Sequence, residues 1–262
     1  MITRALVRPP SSTFASGLTA AGLGAPDLAA ALAQHTAYVE ALSAAGVAVE
    51  SLPPDDRFPD GTFVEDVAVM TERGAILTRP GAPSRQGEVE AIRGAIAARL
   101  PILGTVESPG CVDGGDVCET GSRVLIGLSD RTNAEGASQL ASLLALAGRR
   151  AAILDVRKIP GLLHLKTGMS YLGEGRALAW EALAGHDDLR GLEVLVVPPP
   201  EAYAANAIRV NDRVLVAAGF PRTLDALVDA GMRAQEIPMS EFRKMDGGLS
   251  CLSLRWGEEG PR

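Results

Sequence analysis

The 262 residues predict an α/β fold built from five strand–strand–helix–strand modules. Three observations carry this expectation. A hairpin of two short apolar runs around a polar or glycine-bearing turn recurs along the chain. A helical apolar pattern with a Ser, Thr or Asn start signal follows several of the hairpins, and a further apolar run comes after it. The two ends of the chain each hold half a module, so joining them completes a fifth and closes a ring. On this reading residues 1–262 form a single domain, although the length alone would allow two.

The elements follow in order. An apolar run at 2–7 is followed by a Gly- and Ser/Thr-rich stretch at 11–24, where a flexible connection is the default. A helical pattern then opens at Asp27 and runs to Leu42. Hairpins are expected at 67–70 with 75–78, at 117–119 with 124–127, at 169–172 with 177–180, and at 207–210 with 214–217. Helices open at Arg85-Gln86-Gly87-Glu88, at Thr132-Asn133-Ala134-Glu135 and at Thr223-Leu224-Asp225. Runs at 151–154, 194–197 and 235–238 read as the strands after the helices. The last run, 252–256, would pair with 2–7. Copies start near Asp66, Asp116, Thr167, Asn206 and Cys251, which lie 50, 51, 39 and 45 residues apart.

Composition removes several classes. With 47% hydrophobic and 22% charged residues the chain can bury a full core. Its 32 acidic against 25 basic residues, net charge −7, argue against a nucleic-acid partner. Three cysteines are too few for a disulfide framework, which fits a reducing compartment. The N-terminus lacks a signal-peptide core and no apolar stretch reaches membrane-spanning length, so a cytoplasmic protein is expected.

The ring would bring the polar residues that begin each module onto one axis. They include Glu65-Asp66, Asp116, Lys166-Thr167 and Ser250-Cys251, with His164 three residues before Thr167. Cys251 follows Gly247-Gly248, where backbone can approach a ligand. It is either a nucleophile or a small buried apolar residue. His164, between leucines, is either a core histidine or a general acid/base. His35 in the first helix and His186 in a polar loop read as core or surface residues, and Cys111 and Cys118 as structural. Asp113-Gly114-Gly115-Asp116 is a turn or a carboxylate pair; it lies one module before His164, so one of these two carboxylates could hold the imidazole. Glu65 and Asp66 sit inside an apolar run and need a cation, either an internal arginine or a cationic substrate.

Taken together these segments resemble the dimethylarginine dimethylaminohydrolases of the guanidine-modifying, or pentein, superfamily. The carrying stretches are Arg57-Phe58-Pro59-Asp60, Phe63-Val64-Glu65-Asp66, Thr78-Arg79-Pro80-Gly81-Ala82-Pro83-Ser84-Arg85 and Asp113-Gly114-Gly115-Asp116. Ser129-Asp130-Arg131-Thr132-Asn133, Leu163-His164-Leu165-Lys166-Thr167-Gly168, Tyr203-Ala204-Ala205-Asn206 and Lys244-Met245-Asp246-Gly247-Gly248-Leu249-Ser250-Cys251 complete the match. The resemblance implies a five-bladed α/β propeller and hydrolysis of Nω-methylated arginine to citrulline through a covalent cysteine adduct. It implies Cys251 as nucleophile, His164 as general acid/base and Asp113 as the acid that orients it. Asp66 would bind the guanidinium, with Glu65 and Ser250 nearby. Leu18 and Asp60 would surround the amino end of the substrate, and Arg85 with Arg131 would grip its α-carboxylate. Asp116 would support the site. No metal or organic cofactor is required, the partner is a small methylated arginine, and a homodimer stays open.

Arginine deiminases, by resemblance, carry a second carboxylate two residues after the catalytic histidine. Lys166 stands there in this chain, which favours a methylated guanidinium over a bare one. The rival readings are an arginine deiminase, a citrulline-handling relative, a non-catalytic ring protein of the translation initiation factor 6 type, and a thiol protease.

Overall fold

A computed structural model of the chain describes residues 1–257. In chain order the first elements are β1 (Arg4–Val7), α1 (Leu28–Ala44), β2 (Ala48–Ser51), β3 (Ala68–Thr71), β4 (Gly74–Leu77), α2 (Gln86–Ala97) and β5 (Ile102–Thr105). There follow β6 (Val117–Glu119), β7 (Val124–Leu128), α3 (Ala134–Leu146), β8 (Ala151–Asp155), α4 (Leu165–Gly168), β9 (Met169–Gly173), β10 (Arg176–Trp180), α5 (Glu181–Ala184) and β11 (Glu193–Val197). The last are β12 (Ile208–Val210), β13 (Arg213–Ala217), α6 (Pro221–Asp229), β14 (Ala234–Ile237), α7 (Ser240–Arg243) and β15 (Ser253–Trp256).

The strands form five three-stranded sheets, β15-β1-β2, β3-β4-β5, β6-β7-β8, β9-β10-β11 and β12-β13-β14. Each has the same logic: an antiparallel hairpin pair, then a crossover to a parallel third strand. The split module is as expected, because β15 pairs antiparallel with β1, Arg4 opposite Trp256 and Val7 opposite Ser253. The module with the shortest spacing departs from the pattern. Its crossover helix is the single turn α5, which stops at Gly185.

The chain divides into two compact units. The first, residues 1–64 with the stretch from 207 onward, holds two sheets. Its α1 starts at Asp27, whose side chain accepts from Ala30 N at 2.8 Å, and buries Ala31, His35, Tyr38, Ala41 and Leu42 at helical spacing. It ends where Gly46 takes a positive φ of 83°. Three of the five phenylalanines, Phe14, Phe63 and Phe242, pack against one another edge-on or tilted, with centroids 5.6–6.3 Å apart, and tie the N-terminal loop to α7.

The second unit, 65–206, holds the other three sheets. Its cores gather β-strand Val, Leu and Ile with the apolar faces of α3 and α4. The α3 start is capped by Asn133, which accepts from Gly136 N at 2.8 Å. No helix among the described residues is long and apolar enough to cross a membrane.

Candidate active site

In the second unit the polar residues that begin the modules converge. Glu65 and Asp66 lie in a 3-10 turn ahead of β3, Asp113 and Asp116 flank the turn ahead of β6, and His164 caps α4 ahead of β9. Asn206, at the start of the next module, donates to the carbonyl of Lys166 at 2.9 Å. The two glycines between the aspartates are required by close approach. A Cβ on Gly114 would lie 2.0 Å from the carbonyl oxygen of Glu65, and one on Gly115 would lie 2.8 Å from His164 Nδ1.

His164 Nε2 faces Asp113 Oδ2 at 2.9 Å. Asp113 is fully buried; its Oδ1 accepts from Gly81 N at 2.8 Å, and its peptide N donates to Thr132 Oγ1 at 3.1 Å. With Nε2 engaged, Nδ1 is the ring nitrogen left to exchange a proton. Burial pulls the His164 pKa down. The charges of Asp116, Asp66 and Asp113 and the Asp113 hydrogen bond outweigh that and raise it from 6.5 to about 9. The imidazole is therefore cationic at neutral pH.

Asp66 takes the internal-arginine alternative. Arg85 Nη1 donates to Asp66 Oδ2 at 2.5 Å, while Nε and Nη2 grip Glu88 at 3.0 and 2.8 Å. Asp66 Oδ1 accepts from Gly115 N at 2.9 Å. Burial pushes the Asp66 carboxyl up, but the Arg85 and His164 charges prevail and hold it below the usual range. Glu65 meets Lys166 Nζ at 2.5 Å. Arg131 is half-buried, and its peptide N donates to Ser129 Oγ at 3.0 Å.

Asp66, Asp113 and His164 bring three candidate metal-ligand atoms within 4.8 Å of one another. His164 and Asp113 spend their facing atoms on each other and Asp66 is ion-paired with Arg85, so the donor set is that of a proton-handling cluster.

The first unit carries the remaining expected residues. Cys251 is half-buried in the 3-10 turn Ser250–Leu252, directly ahead of β15, and its Sγ accepts from Gly248 N at 3.5 Å. Gly247 must be glycine, since a Cβ would lie 2.2 Å from the Phe63 ring. Ser250 is buried and its carbonyl accepts from Arg255 at 3.2 Å. Asp60 accepts from Leu18 N with both oxygens, at 3.0 and 3.2 Å. Gly17 lets the loop pass, because a Cβ there would meet Asp60 Oδ1 at 2.5 Å. The other two cysteines are elsewhere: Cys118 is buried, its thiol pushed up to about 11 by burial, and Cys111 Sγ accepts from Arg79 at 3.0 Å.

Sequence reasoning missed Glu88. Its signal was present in the Arg85–Glu88 spacing of three at a helix start, which places the two side chains side by side. The Lys166–Glu65 pair had no local signal.

The five-module α/β fold and the buried Asp–His–Asp cluster define a protein of the arginine-handling pentein class. The arginine deiminase family model matches residues 55–178. Along 98% of its length the chain is 43% identical to N(G),N(G)-dimethylarginine dimethylaminohydrolase of Pseudomonas aeruginosa, all of which is covered. It is 37% identical to the protein of that name from Streptomyces coelicolor, covering 97% of each. A crystal structure of dimethylarginine dimethylaminohydrolase as an adduct with S-methyl-L-thiocitrulline superposes with a TM-score of 0.94 at 42% identity, over 98% of this chain and 100% of that one. The chain belongs to the dimethylarginine dimethylaminohydrolase family.

Proposed function

We propose that this protein hydrolyses Nω,Nω-dimethyl-L-arginine and Nω-methyl-L-arginine to L-citrulline, with release of dimethylamine or methylamine. The observation that carries the reading is the 43% identity along the whole chain to an enzyme of that name. The cationic His164 held by Asp113 fits the chemistry.

In this reading the Cys251 thiolate attacks the guanidinium carbon and forms an S–C bond. Protonated His164 gives its proton to the departing amine as the C–N bond breaks, leaving a thiouronium on sulfur. The now neutral imidazole takes a proton from water, whose oxygen adds to the same carbon. The S–C bond then breaks as the added hydroxyl gives its remaining proton to the released amine or to solvent, so the carbonyl of citrulline forms and the thiolate returns. A high imidazole pKa suits the first half, because the leaving amine needs an acid before anything needs a base.

Asp66 and Glu65 carry the guanidinium charge. A carboxylate offers about four acceptor positions, so Arg85 and one peptide N–H do not exhaust Asp66. Ser250 lies beside the nucleophile, and Leu18 and Asp60 take the amino end. Arg131 and Arg85 take the α-carboxylate; for Arg85 this means exchanging one carboxylate partner for another. Lys166, paired with Glu65, stands where a deiminase would carry a second carboxylate, so the site lacks that acceptor for the N–H groups of an unsubstituted guanidinium nitrogen. That supports a methylated substrate, and the reading involves no metal or organic cofactor. It treats the 262 residues as one catalytic domain of a cytoplasmic protein, with a homodimer left open.

The test is citrulline formation from asymmetric dimethylarginine, monomethylarginine and arginine. The methylated substrates should give the higher kcat/KM, and Cys251→Ser should abolish turnover while the fold survives. A strong preference for arginine would make the protein a deiminase, and full activity of Cys251→Ser would remove the nucleophile.

A further inference from the structure

Asp116 is as buried as Asp113, and the proposed chemistry gives it no bond to make or break. Its contacts are nonetheless arranged around them. Oδ1 accepts from the peptide N of Leu165, the residue after His164, at 2.9 Å. Oδ2 accepts from Ser129 Oγ at 2.6 Å and from Thr132 Oγ1 at 2.7 Å. Ser129 Oγ in turn accepts from the peptide N of Arg131 at 3.0 Å. Thr132 Oγ1 accepts from the peptide N of Asp113 at 3.1 Å. Three chains of one or two hydrogen bonds thus leave one carboxylate and end on the peptide nitrogens of Leu165, which follows His164, of Arg131 and of Asp113.

The fold makes room for it. A Cβ on Gly127 in β7 would lie 3.1 Å from Asp116 Oδ1 and 2.9 Å from the Leu165 Cβ, so only glycine lets the carboxylate and α4 sit against that strand.

We propose that Asp116 is a positioning residue that sets the register of His164, Asp113 and Arg131 through Leu165, Thr132 and Ser129, and presents its charge to the imidazole. The inference rests on the proposed hydrolase reading. Of the groups facing His164, Asp66 comes from the turn ahead of β3, and Asp113 and Asp116 from the segment ahead of β6. Arg85 backs Asp66 and Asp113, while Lys166, on α4 itself, is paired with Glu65. Among the carboxylates, the charge of Asp116 does the most to raise the His164 pKa. Burial pushes the Asp116 carboxyl itself upward, opposed by the His164 charge and by its three hydrogen-bond donors. A carboxylate that only fastened loops together would leave the imidazole titration where it is.

The experiment compares wild type with Asp116→Asn in the full chain, reading kcat, KM and their pH profiles on asymmetric dimethylarginine, and the His164 imidazole titration by NMR. Asn keeps the volume and one acceptor but removes the charge and leaves hydroxyl donors without an acceptor. The expected result is a kcat lowered about tenfold or more. The alkaline limb and the imidazole titration should both move to lower pH. Ser129→Ala, which keeps the charge, should raise KM through Arg131 and leave the alkaline limb in place. A folded Asp116→Asn variant with an unmoved imidazole titration overturns the proposal. The NMR readout needs no turnover, so an enzyme inactive on dimethylarginine would sink the functional reading and leave this test standing. Where Asp116→Asn does not fold, Thr132→Ala takes its place: kcat should fall at least about fivefold, and an unchanged kcat overturns the inference.

Discussion

The two units each bury one histidine, and the two behave in opposite ways. His35 lies on the inner face of α1 in the first unit. Its Nε2 has no hydrogen-bond partner among the described residues, and the backbone of Arg8 is the opposing influence on its titration. Burial pushes its pKa down to about 4. His164, in the second unit, is equally enclosed, yet its pKa rises to about 9 because Asp116, Asp113 and Asp66 surround it. Burial therefore does not decide the role of a histidine; the charge of what is buried with it does. One ring is held neutral as packing. The other is held cationic, as a group that must surrender a proton on demand.

The sharpest way to break this contrast is to remove each ring. His164→Asn should lower kcat on asymmetric dimethylarginine by about 10²–10⁴-fold. His35→Leu should leave kcat within about threefold of wild type while changing stability. Equal losses in the two variants, read from steady-state citrulline assays, would dissolve the distinction.

The next effect concerns the buried charges that separate the two regions. Glu88→Ala leaves the Arg85 guanidinium enclosed with one carboxylate fewer and should cost about 3–5 kcal/mol of stability. In the first unit the Arg57–Asp55 pair is solvent-facing on its arginine side, and Asp55→Asn should cost under about 1 kcal/mol. Urea titration of both variants measures the difference.

Stability against pH should show the two histidines pulling apart. A folded-state pKa raised from 6.5 to about 9 means the His164 contribution is complete below pH 6.5 and is lost as pH rises through 9. That amounts to about 3 kcal/mol at most. For His35 the folded-state pKa is lowered to about 4, so its neutral form supports folding above pH 6.5 and stability falls as pH drops from 6.5 toward 4. Thermal melts of His35→Leu should lose the acid-side decline, and melts of His164→Asn should lose the alkaline-side one.

The smallest effect is local. Ser129→Ala removes the hydroxyl between Asp116 and Arg131 and should raise KM about two- to fivefold, with the protein's Tm within a few degrees.

Much of this was readable before any coordinates. The hairpins, four helices and the pairing of 252–256 with 2–7 follow from short apolar runs with turn chemistry between them, and β15 does pair with β1. The strands β2 and β5 carry weaker signals. β2 is mostly exposed and β5 half-buried throughout, so neither shows a clean alternation. The helix α5 is a single turn because Gly185 and the acidic stretch after it offer no apolar face to extend.

In the site, the Asp113–Asp116 pair and His164 were linked by their one-module offset, since equivalent ends of repeats meet where the repeats pack, but which of the two carboxylates faces the ring came only with the structure. The ion pairs were not readable. Lys166 and Glu65 lie far apart in sequence, and which cation an acid chooses is decided by how neighbouring turns are stacked. The position of His164 at a module start set it apart from His35, but the charge around each ring was not readable, for the same reason. One sits in an Ala-rich helix and the other among leucines, and the carboxylates that separate them come from other modules.

The most direct measurement is a rapid acid quench of the enzyme turning over asymmetric dimethylarginine, followed by peptide mass spectrometry. The account predicts a substrate-derived adduct on the peptide bearing Cys251 and none on those bearing Cys111 or Cys118, with the Cys251 adduct forming far more slowly in His164→Asn. Citrulline production with no adduct on Cys251, or with the adduct on another cysteine, would contradict it.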